Sequence, residues 1–357
     1  MKSFIHFFLL LTCLVLTCCV PLGKEQNTVN IDQEVIDSAK MLMEEPVAFM
    51  DSLKDVKLCY VYKDSILIVL NKGLESEHIV DFYNLNTKQF INGLYHLGSG
   101  ADGLLSAEAI VNRNMLIIND SIMPQVVALN IDSVLNNPKY IVHPVQYSKI
   151  GVRKAVPFYG NLLVENPDYF HNKDMRINQG KSRFFIIKPS DNYVMDRSYK
   201  YYVKNLSING QILVNEDKAR IIYGRLYESQ LDVYNSELQP ISSVVGPVNI
   251  VPKYNFKGDE GFYRIVFKFP IPYAYLNCTA DNEYVYMVYA GAKVKEGMTV
   301  NDLPNWILKF DWDGNYISSY KTNRSILSFT KSIRDESAFY ATVLIHSQPK
   351  LVKLSIE

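Results

Sequence analysis

The chain has 357 residues, 48% of them hydrophobic and 12% aromatic, and its 37 Lys plus Arg balance 37 Asp plus Glu to a formal charge of zero. With no global field to gather nucleic acid or anionic lipid, a general basic binder is excluded. The 25 Tyr and 17 Phe suit pleated surfaces, and turn residues are spread along the whole length, so one large all-β domain or two ordinary ones is expected.

Met1 to Val20 opens with Lys2 and continues with an apolar run from Phe4 to Val15, broken by His6 and Thr12, before Leu16-Thr17-Cys18-Cys19. Its length and flanks are those of a signal sequence, too short for a stable membrane span. An aliphatic residue three places before a cysteine resembles the lipobox of bacterial lipoproteins. Cys19, with Leu16 at that place, is the first choice for lipid attachment, and Cys18, with Val15 there, is the alternative. Neither has Gly, Ala or Ser immediately before it, which departs from the pattern. Acyl burial at about 0.8 kcal/mol per methylene would make several chains a permanent tether. No Asp follows either cysteine and Val20 to Gly23 carries no acidic cluster, so the resemblance implies an outer-membrane lipoprotein facing the periplasm. The two body cysteines, Cys59 and Cys278, are expected as buried free thiols in preference to a disulfide.

Further along, Val35, Ile36, Ala39, Leu42 and Met43 share one helical face over 32–43, with Pro46 as its stop, whereas Thr28 to Asp32 alternates like a strand. Six short apolar strands then follow: Ile66 to Leu70, Met115 to Ile118, Asn161 to Val164, Ala219 to Tyr223, Tyr284 to Val288 and Ala338 to Val343. They begin roughly 45 to 65 positions apart, close to the blade length of propellers. Each precedes a second strand of similar character and a polar turn. Asp132 to Asn136 reads as one short helical turn. The clearest unit is Trp306 to Tyr320, where Trp306, Leu308 and Phe310 alternate with Lys309 and Asp311 before an Asp313-Gly314 reversal. One hairpin cannot bury its own apolar face, so repeated hairpins must bury each other. The last copy stops at Glu357 without an outer strand, and Thr28 to Met43 is available to supply it. The fold class expected is all-β: a six-bladed β-propeller over 47–357, its last blade closed by an N-terminal strand from the segment 20–46, after a signal peptide over 1–19.

Tyr95-His96-Leu97-Gly98-Ser99-Gly100-Ala101-Asp102-Gly103, after the strand Gln89 to Leu94, is similar to the glycine-rich first-blade loop of the TolB-like six-bladed β-propeller lipoproteins of Bacteroidetes. The Gly-Pro-x-Glu ending of that loop is absent here. The resemblance extends to the lipobox-like start, the paired strands Ile66 to Leu70 and Ile79 to Leu85, and the closing copy from Trp306 to Ile356. It implies a six-bladed propeller on a lipid tether, with no characterised catalytic activity to carry over.

Candidate chemistry is sparse. Gly98, Gly100 and Gly103 lack the Lys and Ser/Thr of a phosphate loop. His78, His96, His143, His171 and His346 are isolated, without zinc spacing. No Gly-x-Ser-x-Gly elbow is present. Asn119, Asp120, Glu165, Asn166 and Asp281 lie at strand ends, where a propeller could assemble a ligand face or a central calcium, and each also suits a turn. Tyr199, Tyr201 and Tyr202, among Arg197, Lys200 and Lys204, read as an exposed outer strand guarded by positive charge. The insertion between Ile250 and Leu276, with Phe256, Phe262, Tyr263, Phe267, Phe269 and Tyr273, is expected to fold back over one face. The functional expectation is a non-catalytic module held at a membrane by its lipid and binding an unidentified protein or small molecule. No nucleic acid, cofactor, metal or catalytic residue is assigned. The alternative is a calcium-dependent hydrolase of the six-bladed lactonase type, on fold analogy alone.

Overall fold

The computed structural model describes residues 27–47, 53, 55–100, 102–120, 122, 125–137, 139–146, 154–165, 183–187, 210–257 and 264–356. The lipobox region with Cys18 and Cys19, Asn166, His171 and the stripe at Tyr199, Tyr201 and Tyr202 lie outside the described residues.

Among the described residues the chain is all-β, with two short α-helices and one 3-10 turn, Val300–Asp302. β1 (Asn27–Asn30), α1 (Glu34–Asp37) and β2 (Lys40–Pro46) form an N-terminal segment. β3 (Val56–Tyr62), β4 (Ile66–Asn71), β5 (Val80–Asn84) and β6 (Phe90–Leu94) form an antiparallel sheet in chain order. A small parallel pair, β7 (His96–Leu97) and β8 (Gly103–Leu104), leads to β9 (Ala107–Asn112), β10 (Met115–Asp120), β11 (Gln125–Asn130), α2 (Ile131–Asn136) and β12 (Val145–Gln146). Three strands follow, β13 (Ala155–Phe158), β14 (Asn161–Glu165) and β15 (Phe184–Ile187), then β16 (Gly210–Asn215), β17 (Arg220–Arg225), β18 (Gln230–Asn235) and β19 (Pro240–Val245). The hairpin β20 (Tyr254–Lys257) and β21 (Arg264–Phe267) precedes β22 (Ile271–Ala280), β23 (Tyr284–Val294), β24 (Asn305–Asp311) and β25 (Tyr316–Thr322). β26 (Ile326–Lys331), β27 (Ala338–Ile345) and β28 (Gln348–Ile356) end the chain.

Each short apolar strand picked from the sequence is the second strand of its run, not the first. The strands before them, β3, β9, β13, β16, β22 and β26, carry polar residues such as Lys57, Glu108, Gln211, Asn277 and Ser328 that disguise their alternation. The Trp306 to Tyr320 hairpin appears as β24 and β25, with Asp311 accepting from the backbone N–H groups of Asp313 and Asn315. Gly314 takes φ 87° there, and a Cβ would come within 2.8 Å of Val233 Cγ2, so only glycine fits. The two faces of β24 are both covered: Leu308 and Phe310 pack one way and Ile307 the other. The half-buried strand expected from the alternation is thus buried on both sides.

That double burial repeats along the chain. Tyr60 and Phe82 pack on Val111, Leu116 and Val127. Phe158, Leu163 and Phe184 meet Ile212, Ile221 and Tyr223, and Leu231 and Val233 meet Met287, Leu308 and Phe310. Tyr286 and Ile307 meet Phe329, Phe339 and Val352, while Leu351 near the C-terminus packs on Val56, Cys59 and Val61 of the first run. Each of the five larger clusters draws on at least two runs, and only the small one around Ala290, Val294 and Leu303 lies within a single run among the described residues, so the main core belongs to no sheet by itself.

The N-terminal segment is neither the long helix nor the single strand that its periodicity offered. β1 adds in parallel to β19, α1 inserts Ile36 beside Val233 and Val244, and β2 pairs antiparallel with β28 from Leu42↔Ile356 to Pro46↔Val352. Helix is confined to Glu34–Asp37 because an isolated short helix gains little, whereas β2 satisfies the open backbone edge of β28. α2 agrees with the expected turn; Asn130 caps it, accepting from the Ser133 N–H at 3.0 Å.

Leu42 is 2% exposed, among Tyr320, Phe329, Phe339 and Val352. Leu42→Ala is expected to cost about 2–5 kcal/mol by cavity formation, read as a lower urea midpoint at unchanged m-value. A midpoint like that of the native chain would show that β2 is not part of the cooperative unit.

Candidate functional site

The first strands of the runs present backbone edges that no further strand of their own run covers. Side chains from neighbouring runs satisfy them. Lys57 Nζ donates to the Ala107 carbonyl at 2.6 Å, and the Tyr60 hydroxyl donates to that of Ala109. Lys154 Nζ donates to the Gly210 carbonyl at 2.9 Å and to Gln211 Oε1 at 3.1 Å, and Gln211 Nε2 passes on to the Leu276 carbonyl at 2.7 Å. Asn277 donates to the Leu327 carbonyl, and Ser328 Oγ donates to that of Cys59 at 2.8 Å, returning to the first run. Thr330 Oγ1 likewise accepts from the Val61 N–H at 3.1 Å and donates to the Val61 carbonyl at 2.9 Å.

At the far ends of these strands, β9 and β22 meet directly: Ala280 pairs with Asn112, Thr279 Oγ1 donates to the Val111 carbonyl, and Asn112 Nδ2 reaches the Val214 carbonyl at 3.1 Å. The strand starts remain wetter, with Lys57 and Lys154 half-buried and Glu108 exposed.

Of the candidate ligand-face residues, Asn119, Asp120 and Glu165 end second strands, and Asp281 follows a first strand, in the opposite, β22–β23 turn. The structure therefore does not gather them at one end. Asn119 clasps Ala155, donating to its carbonyl at 3.2 Å and accepting from its N–H at 2.8 Å. Asp120 accepts from the N–H groups of Leu105 at 2.6 Å, Ser106 at 3.3 Å and Ile122 at 2.8 Å, which pins the glycine-rich loop to the second run. Gln125 helps by donating to the Gly103 carbonyl at 2.9 Å. Asp281 accepts from the N–H groups of Glu283 and Tyr284 and from the Tyr286 hydroxyl. The expected fold-back of the 250–276 insertion is seen in part, as Phe267 and Tyr273 pack against Tyr227 at centroid distances of 4.6 and 5.1 Å.

A buried charge network went unread in the sequence. Asp232, 1% exposed, pairs with Arg183 Nη1 at 2.8 Å and Arg225 Nε at 3.0 Å, and accepts from Gln230 and Ser243; Arg225 also pairs with Glu228. Arg183 stacks over the Tyr223 ring at 4.9 Å, and the Tyr223 hydroxyl donates to Glu165. Burial alone would raise the Asp232 carboxyl, but Arg225 and Arg183 outweigh it and hold it below the usual carboxylate range. The local hints are the Arg-x-x-Glu spacing of Arg225 and Glu228 and the pair Gln230 and Asp232 on β18; Arg183 and Ser243 come from elsewhere in the chain. Both body cysteines are free and buried, as expected from the sequence. Burial pushes the Cys278 thiol up to about 12 and raises that of Cys59 as well.

No protein-family model matches the chain, and no curated protein matches it. Similar solved structures include a protein of Bacteroides fragilis NCTC 9343 assigned as exported, at 13% identity over 92% of this chain and 99% of that one, with a TM-score of 0.48. A member of the DUF4221 family from Bacteroides vulgatus ATCC 8482 is 9% identical over 89% and 97%, with a TM-score of 0.49. The beta-propeller domain of Myceliophteria thermophila Cps50 (Swd1) is 9% identical over 89% and 100%, with a TM-score of 0.42. Likeness at this level carries no inference about activity.

Asp232→Asn leaves two buried guanidinium groups short of charge and is expected to cost about 3–5 kcal/mol at pH 7. A carboxyl held low in the folded state stabilises above its unfolded value, near 3.8, and that contribution is lost as pH falls towards the folded one. Below pH 4 the gap between native and variant urea midpoints should narrow; a constant gap would rule out the charge pairing as its source. In a separate measurement on the reduced protein, Cys59 and Cys278 should be silent to a thiol reagent at pH 8 and react only after denaturation, as read by peptide mass.

Proposed function

We propose that the protein is a lipid-tethered binding module of the bacterial outer membrane: a TolB-like six-bladed β-propeller, facing the periplasm, whose last blade is completed by β2. Support for the ring comes from the relay of side chains that leaves the first run at Lys57 and Tyr60 and re-enters it through Ser328 and Thr330. The packing of Leu351 on Val56 and Cys59 points the same way. Residues 20–26 separate Cys19 from Asn27, and seven residues reach at most about 25 Å, so acylation at Cys19 would keep the ring against its membrane.

One observation favours binding over calcium-dependent hydrolysis. Of the carboxylates that such a centre would draw on, Asp120 and Asp281 spend lone pairs on backbone N–H groups and a tyrosine hydroxyl, and Glu165 accepts from the Tyr223 hydroxyl. A hard cation needs six to eight free oxygens, and a carboxylate saturated by turn donors supplies few. At the starts of the first strands Lys57 and Lys154 are half-buried and Glu108 is exposed.

Cell fractionation with N-terminal peptide mass tests the tether. Cys19→Ser should move the protein to the soluble periplasm while Cys18→Ser stays with the outer membrane, and protease added to intact cells should leave the native chain whole. A protein that remains membrane-bound in both variants would contradict lipid attachment. Calcium added to chelator-treated protein should leave Tm unchanged; a saturable rise would restore the hydrolase reading.

A further inference from the structure

We infer that Leu74, Leu97, Leu105 and Ile122 form a docking ridge for a partner polypeptide segment that is apolar on one side and carries Lys or Arg on the other. The inference rests on the binding reading above and names the class of partner. Leu74 lies in the β4–β5 turn, Leu97 and Leu105 in the connection from β6 to β9, and Ile122 in the β10–β11 turn. Antiparallel pairing puts all three connections at one end of the first two runs. The four side chains are 77%, 46%, 36% and 66% exposed. A lone exposed leucine means little, but four large apolar groups that adjoin one another mark a contact surface.

Backbone contacts show that they adjoin. A Cβ built on Gly73 would lie 3.2 Å from Leu97 Cβ, so Leu97 rests against the residue before Leu74. Leu97 pairs with Leu104, the residue before Leu105, across β7 and β8. Asp120 then joins Leu105 to Ile122, accepting from their N–H groups at 2.6 and 2.8 Å. The connections are also held in place. Asp55 Oδ2 accepts from the N–H groups of Leu74 at 2.6 Å and Glu75 at 3.0 Å. The glycine-rich loop closes on itself so tightly that a Cβ on Gly103 would come 2.3 Å from the Gly98 carbonyl oxygen. Loops already fixed surrender little backbone freedom when a partner covers them.

The charges beside the ridge choose among occupants. Glu75 and Glu77 follow Leu74, Glu108 follows Leu105 in β9, and all three are exposed. Lys72 is the only exposed Lys or Arg in these connections among the described residues. An anionic bilayer would meet the carboxylates, and a second copy related by a two-fold axis would set them against themselves. Like charge disfavours both. A segment with Lys or Arg beside its apolar residues answers the acids as well as the leucines.

The test is fluorescence anisotropy on the purified full chain, with Cys18→Ser and Cys19→Ser so that no lipid contributes. The probes are a labelled amphipathic peptide of Leu and Lys and its counterpart of Leu and Glu. The Lys peptide should bind saturably and the Glu peptide should not. Leu74→Ser and Ile122→Ser should each weaken binding roughly tenfold, as should Glu75→Lys combined with Glu77→Lys. Ile333→Ser, in the β26–β27 turn at the far end of its own run, should leave binding unchanged. Because the body cysteines are buried, Leu74→Cys carrying a polarity-sensitive dye reports contact at the ridge without relying on a weakened variant. Its emission should shift when the Lys peptide is added. No binding of the Lys peptide, equal binding of the Glu peptide, a silent dye, or binding unchanged in Leu74→Ser and Ile122→Ser overturns the ridge. Sedimentation with phosphatidylglycerol vesicles that Leu74→Ser abolishes would give the surface to a bilayer, and dimerisation that Ile122→Ser abolishes would give it to a second copy; either overturns this partner class. None of these outcomes alters the response of Tm to calcium, so failure of the ridge is distinguishable from failure of the binding reading.

Discussion

The constraint on which the structure depends is the open edge of each first strand. A sheet that ends in an unpaired strand leaves a row of backbone donors and acceptors with nowhere to go once it is buried. Here the row is met by side chains from the neighbouring run, so the polar residues of the first strands are structural where a strand pattern would want apolar ones. Thr342 and Ser328 on the Cys59 backbone, Thr330 on Val61 and Gln211 on Leu276 are each worth only about 1 kcal/mol net, but leaving a buried carbonyl unmet would cost more. Because each run supplies partners for the next, the edges specify which sheets are neighbours.

Apolar packing supplies the bulk of the stabilisation and obeys the same rule. The middle strands bury both faces, one against the preceding run and one against the following, as Leu308 and Ile307 do from adjacent positions of β24. Such sheets have no separate stability, which is why the N-terminal segment matters although it is short. β1, α1 and β2 touch three successive runs, through Ser242 to Val245, Val233 and Ser319, and the β28 edge.

Charge is used sparingly inside. Asp232 between Arg183 and Arg225 is a buried pairing whose members come from β18, β17 and the residue just before β15, in two runs, and the attraction is needed to offset the desolvation of all three. Lys57 and Lys154 differ because their partners are neutral oxygens.

The amino-acid order by itself determined what is local. Period-two runs and the Asp313-Gly314 reversal specify hairpins, and their spacing specifies repetition. These signals are legible because strand alternation and turn chemistry act within a few residues. Only the tertiary structure decided the rest. It placed Cys59 beside Thr342, 283 positions away, made Asn119 and Asp120 clasps for neighbouring runs, and divided 27–46 between strand and helix. Contacts so distant in sequence leave no periodic trace, since the groups that satisfy a buried edge or charge are chosen by which sheets lie side by side.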